Sequence, residues 1–214
     1  MTTLCLVHGA WHDATCWDPV TEALRAVGHD VVAPDLPFHD PATTFDERVE
    51  PALRAIEGLA DPLVVVGHSM GAGYAPSVAA HREGALLVHL CPGLGPLRDG
   101  FPWPPTRADG TCEWDRDAAI DALYPRLAPE AARRLADHLR PMAPAADGRP
   151  SRRQRPTAVV IAADDELFDP ASERAAARDR LGLEPIEIPG GHFPMAEDPD
   201  ALAVLLDRLA REHT

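Results

Sequence analysis

Lysine is absent from all 214 residues, and so is asparagine. Without lysine the chain has no side-chain amine for Schiff-base chemistry and no lysine acid or base. Without asparagine, no side chain of that type can serve in an oxyanion hole. Cations are scarce as a class: all 20 are arginine, they face 34 carboxylates, and the formal net charge is −14. So acidic a balance excludes a partner gripped through its phosphate backbone, which requires a basic face. The same field slows the approach of anionic substrates unless a local arginine offsets it. No apolar run approaches the roughly 20 residues of a membrane span. No basic segment opens the chain, and the first strand pattern starts by Thr3, so a signal peptide is not expected. The four cysteines (Cys5, Cys16, Cys91 and Cys112) lack C-x-x-C spacing and fall on or near apolar elements, as free thiols in a reducing compartment do. These absences lead to an expectation of a soluble cytoplasmic protein, monomer or homodimer, with no nucleic-acid, membrane or cofactor partner.

What is present is a regular alternation. Strand-like apolar runs occupy residues 3–7, 30–33, 63–66, 85–90, 157–162 and 184–188. Helical patterns fill most of the gaps, at 17–27, 45–59, 72–81, 171–180 and 199–211. Gly28, Gly84 and Gly182 each follow a helical stretch, where a left-handed cap is wanted. Repeated β-α alternation predicts an α/β fold with a doubly wound, mainly parallel six-stranded sheet. Ligands in such sheets bind beyond the carboxyl ends of the strands. The alternation breaks once, between about Gly95 and Pro156, where no strand pattern is visible. A Pro- and Gly-rich start (95–110) leads into helical periodicity over 116–140, which Pro125 and Pro129 divide, and a Pro/Arg-rich linker spans 143–155. The predicted organisation is a core of residues 1–95 and 156–214 carrying a small helical cap at 96–155, too short for a robust core of its own.

The chemistry concentrates at Gly67-His68-Ser69-Met70-Gly71, directly behind the run Leu63-Val64-Val65-Val66. G-x-S-x-G between a buried strand and a helix has the form of a nucleophile elbow. The sharp turn lifts the serine hydroxyl clear of the sheet, and the two glycines remove Cβ atoms that would collide with neighbouring elements. A serine nucleophile needs a base, and the base an orienting acid. His192 follows a strand through Pro189-Gly190-Gly191 and precedes the last helix, which places it at a strand's carboxyl end. The downstream alternatives His81, His89, His138 and His213 fall at a helix end, inside a strand, in the cap and beside the terminus. The acid belongs on the loop after 157–162, which offers Asp164, Asp165, Glu166 and Asp169. Asp165 is the best placed, Asp164 is the alternative, and Asp169 suits the N-cap of the next helix with Pro170 behind it. Backbone N–H groups of Met70 and Ala10 are the expected oxyanion donors. His8 and His12, four apart, lack a third ligand and a helix, so no metal site is expected.

Taken together, five motifs resemble the α/β-hydrolases of the small esterase and hydroxynitrile-lyase type, a group that includes plant methyl-ester esterases and methylketone synthases. They are V-H-G-A-W-H-x-x-x-C-W (7–17), G-H-D-V-x-A-P-D-L-P (28–37), G-H-S-M-G, D-E-L-F (165–168) and G-G-H-F-P (190–194). The resemblance implies that Asp165 is the acid, and that the first two strands of larger relatives are missing. It also argues against lyase chemistry. The lyases with a serine triad carry threonine or asparagine where this chain has Gly9, and many have lysine where it has Phe193.

The expected activity is hydrolysis of a carboxylic ester or lactone of a small-to-medium apolar substrate through an acyl-enzyme, with Ser69, His192 and Asp165 as the triad. Trp11, Trp103, Trp114, Leu123, Tyr124, Met142 and Phe193 are candidate substrate-binding residues, and each could equally pack cap against core. The alternatives are a thioesterase or tailoring enzyme acting on a polyketide-like intermediate and, in another class, a non-turnover ligand sensor on the same fold.

Overall fold

β-Branched and leucine-rich runs bounded by turn residues form strands, and the computed structural model, which describes residues 1–143 and 155–213, contains all six that the sequence predicts. They are β1 (Thr3–Val7), β2 (Asp30–Val32), β3 (Leu63–His68), β4 (Leu86–Leu90), β5 (Thr157–Ala162) and β6 (Ile186–Ile188). The sheet order is β2-β1-β3-β4-β5-β6, and every neighbouring pair is parallel. Parallel strands need crossover helices, which cover both faces, so the central strands are buried throughout.

Side chains alternate between the faces. On one face Leu4, Leu6, Val64, Val66, Val88 and Leu90 pack with α1 (Asp18–Ala26) and α8 (Pro199–Glu212). On the other, Cys5, Val7, Val65 and Leu87 pack with α2 (Phe45–Ile56) and α3 (Ala75–Ala79). Val159 and Ile161 meet Ala177, just after α6 (Pro170–Ala176). Helix starts follow local chemistry. Thr44 opens α2 with a reciprocal capping box, its Oγ1 accepting from Glu47 N–H while Glu47 Oε2 accepts from Thr44 N–H.

One element is shorter than its pattern. A helix is expected over 72–81, but a 3₁₀ turn at Ser69–Gly73 is followed by an α3 of only five residues. Pro76 has no N–H and is best accommodated in a first turn, which favours a start at Ala75 over an earlier one.

Among its described residues the segment expected as a cap contains two helices, α4 (Arg116–Leu123) and α5 (Pro129–Asp137), broken where Pro125 intervenes and restarted with Pro129 at the first turn. Leu123, Tyr124, Ala132 and Ala136 join the same apolar cluster as α1 and α8, so the cap packs directly on the core. Residues 144–154 of the linker expected over 143–155 lie outside the described residues. Among the described residues no helix is long and apolar enough to cross a membrane.

Candidate active site

β3 ends at His68, and the chain turns at once into the 3₁₀ turn that begins with Ser69. Ser69 has φ 51°, a left-handed conformation that costs a residue with a Cβ about 1–3 kcal/mol. Two other non-glycine residues among those described share that sign, Trp11 after β1 (φ 61°) and Cys91 after β4 (φ 45°). All three lie just past the carboxyl ends of strands, where such sheets bind their ligands. The elbow is pressed against its neighbours. A Cβ on Gly71 would collide with the His8 carbonyl and stand 2.7 Å from Val7 O, and one on Gly67 would stand 2.7 Å from Ala72 Cα. The loop after β1 therefore passes directly over the elbow, which only glycine permits.

The loops after β5 and β6 are joined by main-chain bonds, Ala163 N–H to Ile188 O (2.9 Å) and Asp164 N–H to Gly190 O (3.0 Å). They bring Asp165 and His192 together. Asp165 Oδ2 accepts from His192 Nδ1 at 2.7 Å, while Oδ1 accepts from the N–H groups of Leu167 and Phe168. Burial raises the Asp165 pKa, but His192 and those two N–H groups outweigh it, leaving the carboxyl below its usual range. Asp164 is exposed and faces Arg126 at 3.4 Å, and Asp169 caps α6 through Ser172 N–H. With Nδ1 carrying the proton, His192 holds a lone pair at Nε2, which is buried and makes no hydrogen bond among the described residues. The His192 carbonyl accepts from His68 Nε2 at 2.8 Å, and the two rings stand 4.9 Å apart. The loop carrying His192 is thereby pinned to the residue preceding Ser69. Cys91 lies in the same cluster, its sulfur within 4.8 Å of ligand atoms of Asp165 and His192. Burial, and then the Asp165 charge, push its thiol well above the usual range and keep it protonated.

Sequence reasoning passed over His68 and weighed His8 and His12 only as a metal pair. The 8/12 spacing suggests a helical pair, but Trp11 turns left-handed between them and the rings take separate partners. His12 Nδ1 donates to Ala10 O (2.7 Å), which leaves Nε2 to accept from the Tyr124 hydroxyl of the cap at 2.7 Å. Burial lowers the His12 pKa to about 4, so the ring is neutral at pH 7. His68 is likewise held well below its usual range, by burial and then by neighbouring His192. The two expected oxyanion donors, Ala10 and Met70, belong to half-buried residues on the loop after β1 and in the elbow turn.

The candidate wall residues converge on the joint between cap and core. Trp11 stands edge-on to Trp103 (4.8 Å) and Trp114 (5.7 Å), and Phe193 contacts Tyr124 and His192, both at 5.1 Å. Trp11, Trp114, Leu123, Tyr124, Met142 and Phe193 are buried in the apolar cluster, whereas Trp103 is 44% exposed. None of them borders the clefts of about 200, 300 and 540 Å³ elsewhere on the surface. The segment expected as a cap grips the loops after β5 and β6 through Arg98, whose Nε donates to Asp165 O and whose N–H donates to Leu167 O. It also grips them through Arg126, which faces Glu197, itself the acceptor of Gly191 N–H.

A sequence model of the Alpha/beta hydrolase family matches residues 6–205. Esterase PIR7B of rice (Oryza sativa subsp. japonica) is 41% identical over 87 residues, covering 36% of this chain and 32% of that protein. Methyl jasmonate esterase 1 of Vitis vinifera is 37% identical over 86 residues, covering 36% and 33%. The chain therefore spans about a third of the length of these curated relatives. Over the whole chain the fold is similar to the crystal structure of a pyrethroid hydrolase from Sphingobium faniae, with a TM-score of 0.81 at 21% identity, covering 98% of this chain and 97% of that one.

Proposed function

The chain belongs to the alpha/beta hydrolase family, and from that premise we propose that it hydrolyses carboxylic esters or lactones of small-to-medium apolar compounds through an acyl-enzyme on Ser69. The observation that carries this reading is the state of His192. Its Nδ1 proton is committed to a buried carboxylate, and its other nitrogen is left with an unshared lone pair beside the elbow. His29 and His89 also hold a buried ring nitrogen without a hydrogen-bond partner among the described residues, so what sets His192 apart is that nitrogen together with the buried Asp165 carboxylate and the neighbouring elbow. A general base must keep that lone pair free.

In the proposed cycle Ser69 Oγ attacks the carbonyl carbon while its proton passes to His192 Nε2. Asp165 holds the ring in the productive tautomer and stabilises its cation. The tetrahedral oxyanion is received by the N–H groups of Ala10 and Met70, each worth roughly 3 kcal/mol by the effect of removing such donors elsewhere. The C–O bond then breaks, and the His192 proton goes to the departing alkoxide. Water attacks the acyl-enzyme with His192 again as base, releasing the acid and restoring Ser69.

The substrate class is supported by the aromatic surroundings of the joint between cap and core, and by a net charge of −14 that disfavours anionic acyl groups. The names of the relatives, esterase and pyrethroid hydrolase, point the same way. The test is hydrolysis of p-nitrophenyl esters from acetate to octanoate by wild type and Ser69→Ala side by side. Turnover in wild type that vanishes in the folded variant is expected, with the chain-length profile sizing the pocket. A folded wild type inert toward the whole series, or activity that survives Ser69→Ala, contradicts the proposal.

A further inference from the structure

We propose that His8 is a positioning residue for the oxyanion donor at Ala10, and that it ties the segment after β2 to that donor. The inference rests on the serine-hydrolase reading above and deepens it. It also gives a role to the A-P-D-L-P segment (33–37), which the proposed mechanism leaves unused.

His8 is fully buried, and its ring makes two short contacts. Leu36 N–H donates to Nε2 at 3.0 Å, and Nδ1 lies 2.9 Å from Gly9 O. These partners fix the tautomer. A main-chain amide nitrogen can only donate, so Nε2 must carry the lone pair. A carbonyl can only accept, so Nδ1 must carry the proton. Asp35 Oδ1 also faces Nε2, but at 3.4 Å, and its carboxylate is engaged by Arg140 at 2.6 Å. The nearer partner decides, and the Nδ1 proton is aimed at Gly9 O.

That carbonyl belongs to the Gly9–Ala10 peptide, whose other end is the Ala10 N–H. The bond is trans, since Asp61–Pro62 is the one cis bond among the described residues. In a trans peptide C=O and N–H lie in one plane and point opposite ways, so holding the oxygen aims the N–H. Donation to the carbonyl also polarises the amide and strengthens its N–H as a donor. The peptide is at the nucleophile: a Cβ on Gly9 would stand 3.1 Å from Ser69 Cβ and 2.9 Å from His68 Nδ1. No group among the described residues accepts the Ala10 N–H. The order thus runs from Leu36 N–H, through one imidazole, to a donor aimed where negative charge develops.

The variants separate donor from acceptor. In His8→Asn the side-chain amide nitrogen occupies the Nδ1 position and keeps the bond to Gly9 O. In His8→Gln the amide sits where Nε2 was, keeping Leu36 and losing Gly9. His8→Leu loses both. kcat for the best p-nitrophenyl ester should stay within threefold of wild type in His8→Asn. It should fall about ten- to a hundredfold in His8→Gln and His8→Leu, a fraction of what losing a whole donor costs, with KM within twofold. The inhibition constant of an alkylboronic acid, whose tetrahedral adduct presents an oxyanion, should rise by the same factor as kcat/KM falls. That of the product acid should not change. A merely structural role predicts parallel losses of melting temperature in all three variants and no split between the two inhibitors.

Equal activity in His8→Asn and His8→Gln, or an unaltered His8→Leu, overturns the inference. Should the variants not fold, imidazole ¹⁵N spectra of wild type decide instead. A neutral His8 with its proton on Nδ1 supports the assignment, and a proton on Nε2 directed at Asp35 refutes it. A wild type without Ser69-dependent hydrolysis refutes the functional reading and this inference with it. Ser69-dependent activity indifferent to the chemistry of residue 8 refutes this inference alone.

Discussion

The sheet side and the cap side of the site are held by main-chain and side-chain bonds in different proportion. On the sheet side the positions are main-chain matters: a serine at φ 51°, glycines pressed against neighbouring carbonyls, and loops tied N–H to O between 163–164 and 188–190. On the cap side most joints are side chains, beside the main-chain bonds Arg98 N–H to Leu167 O, Arg140 N–H to Trp11 O and Ala143 N–H to Phe38 O. Tyr124 meets His12, Trp11 Nε1 donates to Cys112 O, Arg140 pairs with Asp13 and Asp35, and Arg126 faces Glu197 and Asp164. Main-chain geometry is insensitive to most substitutions and intolerant of a few, whereas side-chain joints can be exchanged one at a time. Such a division keeps the chemistry fixed while the surroundings of the substrate vary.

The sharpest way to test the sheet side is through the acid. Asp165→Asn should leave the fold intact and reduce kcat by about 10³–10⁴-fold, because the amide no longer enforces the Nδ1–H tautomer. Near-wild-type activity in that variant would move the acid to Asp164. Next in size is Gly71→Ala. The added methyl meets the His8 and Val7 carbonyls, and neither belongs to a flexible side chain. A loss of about 3 kcal/mol or more in urea unfolding is expected, at the upper end of overpacking costs, and a neutral outcome would mean the elbow is less tightly packed than described.

Acidity acts on the cap-side joint. The folded-state pKa of His12 is lowered to about 4, below its unfolded value, so the unfolded chain binds the extra proton between those values. Stability contributed by the neutral ring is therefore present above about pH 6.5 and is lost as pH falls toward 4, at up to about 1.4 kcal/mol per pH unit. Urea midpoints measured between pH 7 and 4.5 should show this slope reduced in His12→Gln; an unchanged slope would assign the loss to other groups. The smallest effect should come from Tyr124→Phe. Leaving His12 Nε2 buried without a donor costs about 1–2 kcal/mol, while kcat stays within a few-fold. A kcat loss as large as that of Asp165→Asn would erase the distinction between the two sides.

The sheet side was also the side legible in the sequence. Runs such as Leu63-Val64-Val65-Val66 and the G-x-S-x-G behind them encode strand and turn locally, and local rules suffice to read them. His192 was readable from its place after a strand and two glycines. Asp165 was separable from Asp164 only by the length of the turn, and geometry now distinguishes them: one is buried on His192, the other exposed on Arg126. The cap side resisted because its joints link residues about a hundred positions apart, as with His12 and Tyr124. Helical spacing cannot tell a residue that walls a pocket from one that packs cap on core, and Leu123 and Tyr124 satisfy either pattern. The tautomers of His8 and His12 were beyond sequence for a related reason. They are set by the main-chain groups the rings meet, and those depend on the left-handed turn at Trp11.

The central claim is that one serine carries the acyl group. Intact-protein mass spectrometry after treatment with an alkyl fluorophosphonate tests it most directly. The account predicts one adduct per chain on the peptide containing Ser69, formed in step with the loss of esterase activity and absent from Ser69→Ala. Full inactivation with the label on another residue, or an active enzyme that takes up no label, would contradict it.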